Sequence, residues 1–140
     1  MIAEHYALEC STRGDDHILD LTAQVQAAVA RSGVTTGQAA LLVHGSTAAL
    51  TTVEYEPGLV NHDVSAALER IAPRNDRYEH EETWRDDNGH SHVRASLVGP
   101  SLALPVVEGQ VPLGTWQQIV LVDCDTRPRR RTVHLSVLGR

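Results

Sequence analysis

Two periods of hydrophobic spacing follow one another in the first quarter of the chain. Residues 2–11 alternate apolar and polar positions, which predicts an opening strand. Asp15 and Asp16 then offer a helix N-cap, apolar residues recur at helical spacing, and Gly33 is a natural C-terminal stop. We therefore predict an amphipathic helix over residues 17–31.

The next segments predict a hairpin and a second helix. Gln38–Val43 is an apolar run suited to a buried strand, and Thr47–Glu54 is rich in Thr and Val. We expect these two runs to pair as a hairpin that turns at Gly45-Ser46. Residues 60–71 carry apolar side chains on one helical face and predict the second helix.

Strand patterns fill the second half, after a long polar loop. The loop from Arg74 to Gly89 is longer than most connections in compact domains, and such loops are usually functional or disordered. From His90 onward we predict strands. Four strands are predicted, over Val93, Ala95 and Leu97, over Leu102–Val107, over Trp116–Asp123, and over Val133, Leu135 and Val137. Pro105 indicates that the second of these lies at a sheet edge. Turns are predicted at Glu108-Gly109 and Thr126–Arg130. This pattern predicts an α+β fold with mainly antiparallel pairing.

Composition fits a single folded domain over residues 1–140. Hydrophobic residues make up 41% and aromatic residues only 4%, with no Phe, so aliphatic side chains must build the core. A formal charge of −6 argues against nucleic acid as a partner, because such binding needs a basic surface. Neither a leader nor an apolar run of the ~20 residues that a membrane helix needs is visible, so we expect a cytoplasmic protein with no membrane partner. Cys10 and Cys124 are interpreted as small buried side chains, with a disulfide as the alternative.

Residues 78–92 concentrate groups that bind metals and transfer protons. If His90 and His92 lie on a strand, they point to the same face, because strand side chains alternate. His80 from the facing loop would complete a three-histidine metal site with an open position, for which zinc is the first candidate and nickel, copper or iron also fit. The alternatives are acid–base or phosphate-binding roles, or local hydrogen bonds alone. Five carboxylates share the segment: Glu79, Glu81, Glu82, Asp86 and Asp87.

Three further sites carry polar groups suited to catalysis or phosphate binding. Glu54 lies among β-branched residues, so it is either a general base or an orienting partner for a histidine, or simply a solvent-facing strand residue. Ser46 and Thr47 follow a glycine, where hydroxyl and backbone N–H groups can hold a phosphate or form a plain turn. Asp86 and Asp87 are adjacent carboxylates that can hold Mg²⁺ when a diphosphate is present, with Asp87 and Asn88 as candidate substrate-binding residues, or all three can serve as turn formers.

The C-terminal third adds groups that recognise rings and phosphates. Trp116 could stack on a heteroaromatic ring, with Gln117 reading its edge, or Trp116 could pack in the core or at a subunit interface. Arginines cluster at the last turn, and a guanidinium fork matches phosphate geometry, although a solvated turn explains the cluster equally well. We take Arg129 as the phosphate-binding candidate from the set Arg127, Arg129, Arg130 and Arg131.

Together these motifs resemble the YjbQ-like family, also called the secondary thiamine-phosphate synthase family. The resemblance rests on GSTAAL (Gly45–Leu50), EYEPGL (Glu54–Leu59), Tyr78-x-His80, DDNGHSH (Asp86–His92), GPSLALP (Gly99–Pro105), LGTWQQ (Leu113–Gln118) and the Arg-rich turn before the last strand. These motifs occur in order over about two-thirds of the chain. Glu54, His80 and His92 match family positions, whereas His90 matches only part of the family.

The resemblance implies a two-sheet, mainly antiparallel β-sandwich with two to three helices, assembled as a homotrimer. It also implies a thiamine-phosphate synthase activity, which joins hydroxymethylpyrimidine diphosphate to thiazole phosphate and is secondary to an unsettled native role. The expected partner is thus a phosphorylated small molecule. Two alternatives remain: a metal-dependent hydrolase in which Glu54 activates a metal-bound water, and a non-catalytic trimer that binds a small anion.

Overall fold

Seven strands build two antiparallel sheets, and four helices complete the chain. The computed structural model describes all 140 residues. The strands are β1 (Ile2–Thr12), β2 (His17–Asp20), β3 (Thr36–Val43), β4 (Ala48–Glu54), β5 (Ser101–Val107), β6 (Gln117–Asp123) and β7 (Arg129–Gly139). The helices are α1 (Thr22–Ser32), α2 (Val64–Ile71), α3 (His80–Trp84) and α4 (Gly89–Val98), and a π-helical turn over Leu59–Asp63 leads into α2.

The sheets have four and three strands. The larger one runs β1-β7-β3-β5 and the smaller one β2-β6-β4, and every pairing is antiparallel. The predicted α+β class with a two-sheet antiparallel arrangement is confirmed. Pro105 lies on β5 at the edge of the larger sheet, as expected, because an edge strand tolerates a residue that has no N–H to donate.

The main hydrophobic core lies between the two sheets and includes one face of α1. It contains 17 buried aliphatic side chains, with Val133, Leu135 and Val137 alternating along β7. In β6, by contrast, every residue from Ile119 to Asp123 is buried, so both faces of the smaller sheet are covered. Its second face packs against α2 and α4 through a cluster of Ile18, Leu68, Val120, Val122 and Cys124. No helix is long and apolar enough to cross a membrane.

The predicted hairpin of Gln38–Val43 with Thr47–Glu54 is wrong. Both strands exist, but β3 pairs with β5 and β7, whereas β4 pairs with β6 in the other sheet. The three residues that open β4, Ala48–Leu50, are all buried, so this strand needs cover on both of its faces. The Gly45-Ser46 segment therefore crosses from one sheet to the other instead of reversing the chain.

The predicted helix over residues 17–31 is partly wrong, because its first residues form a strand. His17–Asp20 is β2 and pairs with β6, where Ile18 lies opposite Val122. Ile18 fits the alternation of a strand as well as the spacing of a helix, and the smaller sheet supplies a partner strand for it. The helix itself runs from Thr22 to Ser32. Gly33 follows it in the left-handed conformation and ends the helix, as predicted.

The strand predicted from Val93, Ala95 and Leu97 is helix α4. Val93 and Leu97 remain 38% and 59% exposed, so the apolar alternation does not define a buried face. The buried residues of α4 recur at helical spacing, and they are Gly89, His90, Ser91, Arg94 and Ala95. Three of the five are polar, so the buried face is not an apolar stripe. Helix α3 lies within the predicted loop of residues 74–89. Both cysteines are free, with Cys124 buried and Cys10 half-buried.

Candidate functional site

Helices α3 and α4 bring two of the predicted histidines together. His80 is the first residue of α3, His92 lies in the first turn of α4, and their ring centroids are 4.4 Å apart. The backbone of Ser46 lies close enough to the His92 ring to act on its pKa, so the segment between the two sheets forms one wall of the site. The histidine pair is therefore placed where α4 meets the start of β4.

Asn88 and Asp86 hold His80 in place. The Asn88 amide orientation that satisfies its neighbours puts Nδ2 3.2 Å from His80 Nε2 and 3.0 Å from Asp86 Oδ1. Asp86 Oδ1 itself lies 3.3 Å from His80 Nε2, so the carboxylate pairs with the ring when the ring is protonated. This arrangement of carboxylate, amide and imidazole is suited to moving a proton at Nε2.

His90 is separated from that pair. Residues two apart on an α-helix point about 200° away from each other, so His90 and His92 face opposite sides of α4. The His90 ring is fully buried beside Tyr78, with 6.3 Å between the ring centroids, and its Nδ1 has no hydrogen-bond partner. The expectation that His90 and His92 share a face is wrong, because it assumed a strand. The predicted three-histidine set therefore does not converge on one metal position.

Gly89 explains how Tyr78 can pack under the first turn of α4. A Cβ at this position would lie 2.5 Å from Tyr78 Cβ, closer than side chains can approach. Gly89 is thus needed at the start of α4, because only a residue without a side chain allows this close packing.

Burial sets the protonation state of His92. Burial first, and then the positive charge of a protonated His80, hold the pKa of His92 below its ordinary value. His92 is therefore neutral at neutral pH and can act as a base or as a neutral hydrogen-bond donor.

A buried ion pair lies below the site. Arg131 binds Asp123 with two hydrogen bonds, Nε to Oδ2 at 2.8 Å and one from the other end of the guanidinium to Oδ1 at 2.9 Å. The same guanidinium donates to Thr47 Oγ1 at 2.7 Å, and it passes so close to Gly45 that a Cβ there would lie 2.7 Å from it. Burial acts to lower the pKa of Arg131, but the bonds to Asp123 outweigh it and hold that pKa above its ordinary value.

Asp125 extends this network towards solvent. It accepts hydrogen bonds from Thr47 Oγ1 at 2.9 Å and from Arg129 Nε at 3.0 Å. Burial acts to raise the pKa of Asp125, yet the Thr126 backbone N–H, Thr47 and Arg129 together hold it below its ordinary value. The hydroxyl of Thr47, predicted to bind phosphate, thus makes its hydrogen bonds inside the protein, whereas Ser46 is exposed.

Several predicted phosphate-binding residues share one cleft beside the histidines. Thr126 Oγ1 donates to Asp87 Oδ1 at 3.1 Å and closes one side of this cleft, which has a volume of about 350 Å³. Its lining contains no apolar side chain and consists of Asp86, Asp87, Asn88, Thr126, Arg127 and Arg129. The Arg127 guanidinium, and the N–H groups of Arg129 that do not bind Asp125, provide donors of the kind that a phosphate or diphosphate needs, and Asp86 and Asp87 place negative charge on the same lining. We call this space the arginine cleft.

Glu54 and Gln117 lie at the other end of β4. Thr47 and Glu54 are seven positions apart in sequence, and seven steps along a strand span roughly 20 Å. Gln117 is paired with Glu54 in register, and its amide donates to Thr52 Oγ1 and accepts from the Gly114 N–H. A cleft of about 420 Å³ opens there, which we call the tryptophan cleft. It is lined by Asp20, Glu54, Tyr55, Glu56, Pro57, Trp116 and Gln118.

The largest cleft lies away from the histidine pair. Its volume is about 610 Å³, and its wall includes Asp16 and Ser65. Beneath it, buried Arg94 binds Asp16 at 2.6 Å, pairs with Glu69, and donates to the Ala72 carbonyl at 3.0 Å. Since Arg94 is committed to these three groups, we assign this network to holding α2, α4 and the segment before β2 together.

Comparison with known proteins places the chain in a family. The family described as "UPF0047 protein YjbQ-like" matches residues 6–140. The chain belongs to the YjbQ-like UPF0047 family. UPF0047 relatives include proteins of Methanothermobacter thermautotrophicus, 35% identical over 88% of this chain and 83% of the relative, and of Mycobacterium tuberculosis, 38% identical over 85% and 86%.

Solved structures of similar proteins have the same fold. A YbjQ-like protein of unknown function from Sulfolobus solfataricus superposes with a TM-score of 0.87 at 30% identity, covering 99% of both chains. A hypothetical protein from Aeropyrum pernix K1 superposes with a TM-score of 0.89 at 31% identity, covering 98% of this chain and 99% of the other. The family and the fold that the motifs imply are thereby confirmed.

Sequence reasoning missed Asp123 and Asp125, on which this YjbQ-like site rests, and it considered Arg131 only as one of the clustered arginines. Asp123 and Asp125 close an apolar strand, and Arg131 lies at the start of the next one. An Asp-x-Asp pair directly after a fully buried strand was the available signal, because such carboxylates must find partners when they are buried.

Proposed function

We propose that this chain is a cytoplasmic transferase of the thiamine-phosphate synthase type. Its proposed reaction joins hydroxymethylpyrimidine diphosphate to thiazole phosphate. The observation that carries the proposal is that the His80–His92 pair lies directly beside the arginine cleft. That juxtaposition supplies proton transfer and diphosphate binding in one place.

The chemistry requires stabilisation of a leaving group more than a strong base. The thiazole nitrogen forms a bond to the pyrimidine methylene carbon, the carbon–oxygen bond to the diphosphate breaks, and pyrophosphate leaves with the bonding electrons. Arg127 and Arg129 offset the charge that develops on the departing oxygens. The His80–His92 pair donates a proton to those oxygens when His80 is protonated, and the neutral His92 ring donates a hydrogen bond. The proposed role of Asn88 and Asp86 is to hold the His80 ring in the required orientation.

The tryptophan cleft supplies what the arginine cleft lacks, namely a surface for a heteroaromatic ring. Trp116 is 72% exposed and Tyr55 is 43% exposed, which are high values for large aromatic side chains. Glu54 lines the same cleft and can accept a hydrogen bond from an amino group on such a ring. Within one chain, however, this cleft is roughly 20 Å from Thr47, too far for one small substrate to reach both ends.

A homotrimer resolves that separation. In a cyclic oligomer each subunit presents one surface to a different surface of the next, so the Glu54 end of one copy can meet the His92 end of its neighbour. We therefore propose that the active site is completed between subunits.

Metal ions have a limited place in this proposal. Only two of the three histidines expected to bind zinc are near each other, so no metal-dependent step follows from the arrangement. Magnesium remains a prediction that goes with the diphosphate substrate, with exposed Asp87 as its nearest candidate ligand. The hydrolase alternative would require the His80–His92 pair to retain stoichiometric metal after purification.

The direct test is a pyrophosphate-release assay with both substrates present. We expect release only when both are supplied, and we expect His92→Ala to lower the rate about 10²–10⁴-fold, as for the loss of a proton-transfer group. His62→Ala, a change at an exposed histidine elsewhere, should retain full activity. Release of pyrophosphate without thiazole phosphate would indicate hydrolysis, and ligand-induced thermal stabilisation without turnover would indicate a non-catalytic binder.

Mixed trimers test whether two subunits build the site. Glu54→Gln and His92→Ala are each expected to be inactive, but re-assembly of an equal mixture should restore activity at about one quarter of the subunit boundaries. A site within one chain predicts no recovery. Sedimentation of the unmixed protein at a monomer mass would contradict the trimer itself.

A further inference from the structure

The outer face of the larger sheet carries a second histidine cluster, which the proposed reaction does not use. His5 on β1, His134 on β7 and His44 just after β3 come from three adjacent strands. Ala7 is paired in register with His134, and Leu42 is paired with His134 from the other side. His5 and His44 are therefore both diagonal neighbours of His134, and the three rings form a row across the sheet.

Two of these rings already have their nitrogens at a metal-ligand spacing. His134 Nδ1 and His5 Nε2 are 3.3 Å apart, and the ring centroids are 5.3 Å apart. Two nitrogens that bind one tetrahedral zinc at 2.0–2.1 Å are separated by about 3.3 Å. The two rings now share a single proton between these nitrogens, so a metal ion that binds both would replace that proton.

His44 is placed to supply a third nitrogen. Its ring centroid lies 6.1 Å from that of His134, and its side chain is exposed, so rotation about its side-chain bonds can bring the ring inward. Glu9 on β1 accepts a hydrogen bond from Thr132 Oγ1 at 2.9 Å and lies 3.7 Å from Arg130, so its carboxylate already has partners. The row therefore offers an all-nitrogen ligand set, with solvent in the remaining position.

From this geometry we infer that His5, His134 and His44 form a binding site for a divalent transition metal. The ligand class follows from the donors, because imidazole suits Zn²⁺, Ni²⁺ and Cu²⁺ and does not suit Mg²⁺ or Ca²⁺. A bound ion would tie β1, β7 and β3 together on the sheet face opposite the core. The site is separate from the His80–His92 pair, so it does not depend on the proposed transferase reaction.

Zinc titration of the metal-stripped full-length protein by calorimetry tests the inference. We expect one Zn²⁺ per chain, and we expect His134→Gln or His5→Gln to weaken binding at least about 100-fold, since losing even an outer-shell partner of a metal ligand costs 10–100-fold. His44→Gln should weaken binding less, because its ring must first move. These side chains lie on an exposed sheet face, so the variants are expected to fold, which circular dichroism can verify.

Two controls separate this site from other histidines. His62→Gln removes an exposed histidine whose neighbour is Asp63, and it should leave zinc affinity unchanged. The double variant His80→Gln with His92→Gln should also retain the zinc. Equal affinity in the wild type and in His134→Gln, no zinc binding by the wild type, or loss of zinc only in the double variant would each overturn the inference.

Discussion

The two ends of strand β4 differ in how their polar groups are supported. At the Thr47 end, hydroxyl, carboxylate and guanidinium groups are buried and saturate one another, with Asp123 fully buried under the histidine pair. At the Glu54 end, Glu54 and Trp116 are exposed and few contacts hold them. The difference teaches that the contacts of one chain hold the Thr47 end rigidly and leave the Glu54 end open, which is the arrangement that the proposed completion by a second copy requires.

Breaking the ion pair at the Thr47 end should have the largest effect. Arg131→Met leaves Asp123 buried without its partner, which typically costs about 3–5 kcal/mol of the free energy of unfolding. Urea denaturation measures this loss. The neighbouring change Arg130→Met, at an exposed position on the same strand, should stay within about 0.5 kcal/mol. Similar values for the two variants would show that the buried network does not support this end.

Removing one hydroxyl from the same network should have an intermediate effect. Thr47→Val keeps the shape of the side chain but leaves Asp125 and Arg131 each without one hydrogen bond, at a cost of about 1–3 kcal/mol. Thr52→Val, near the open end, removes only an exposed contact with Gln117 and should cost less. Equal costs for the two substitutions, measured by thermal unfolding, would contradict the contrast between the ends.

Acid should weaken the Thr47 end through its histidines. Burial lowers the pKa of His17, His90 and His92, so the unfolded chain binds more protons than the folded chain below the ordinary histidine pKa of about 6.5. The contribution of these histidines to the free energy of unfolding is therefore fully present above that pH and is lost as the pH falls below it. His90→Leu should reduce the slope of unfolding free energy against pH between about pH 7 and 5. An unchanged slope would show that His90 is protonated without cost.

The smallest effect on folding is expected at the open end. Trp116→Ala should change the unfolding free energy by no more than about 0.5 kcal/mol, because the side chain is mostly exposed. The same change should weaken association of the proposed trimer, measured by the concentration dependence of the sedimentation coefficient. Trp84→Ala, also at an exposed tryptophan, is the matched control and should leave association unaltered. A loss of several kcal/mol of folding stability for Trp116→Ala would place this side chain in the core instead.

Local pattern determined much of this molecule from sequence alone. The alternation in β1, β5 and β7, the helical spacing before Gly33, the second helix and the single α+β class all follow from side-chain periodicity and are confirmed. The ordered motifs also determined the family. The segment that contains His80, Asn88 and His92 could be recognised as chemically rich, because its residue types are rare together in a surface loop.

Tertiary structure alone decided strand pairing and which polar groups meet. Periodicity gives the buried face of a strand but not its neighbour, so β4 could not be assigned to the smaller sheet. Helix α4 buries His90, Ser91 and Arg94, and a buried polar face escapes any search for apolar spacing. Asp123, Asp125 and Arg131 meet Thr47 from about 80 residues away in sequence, and only the packing of the two sheets brings those charges together.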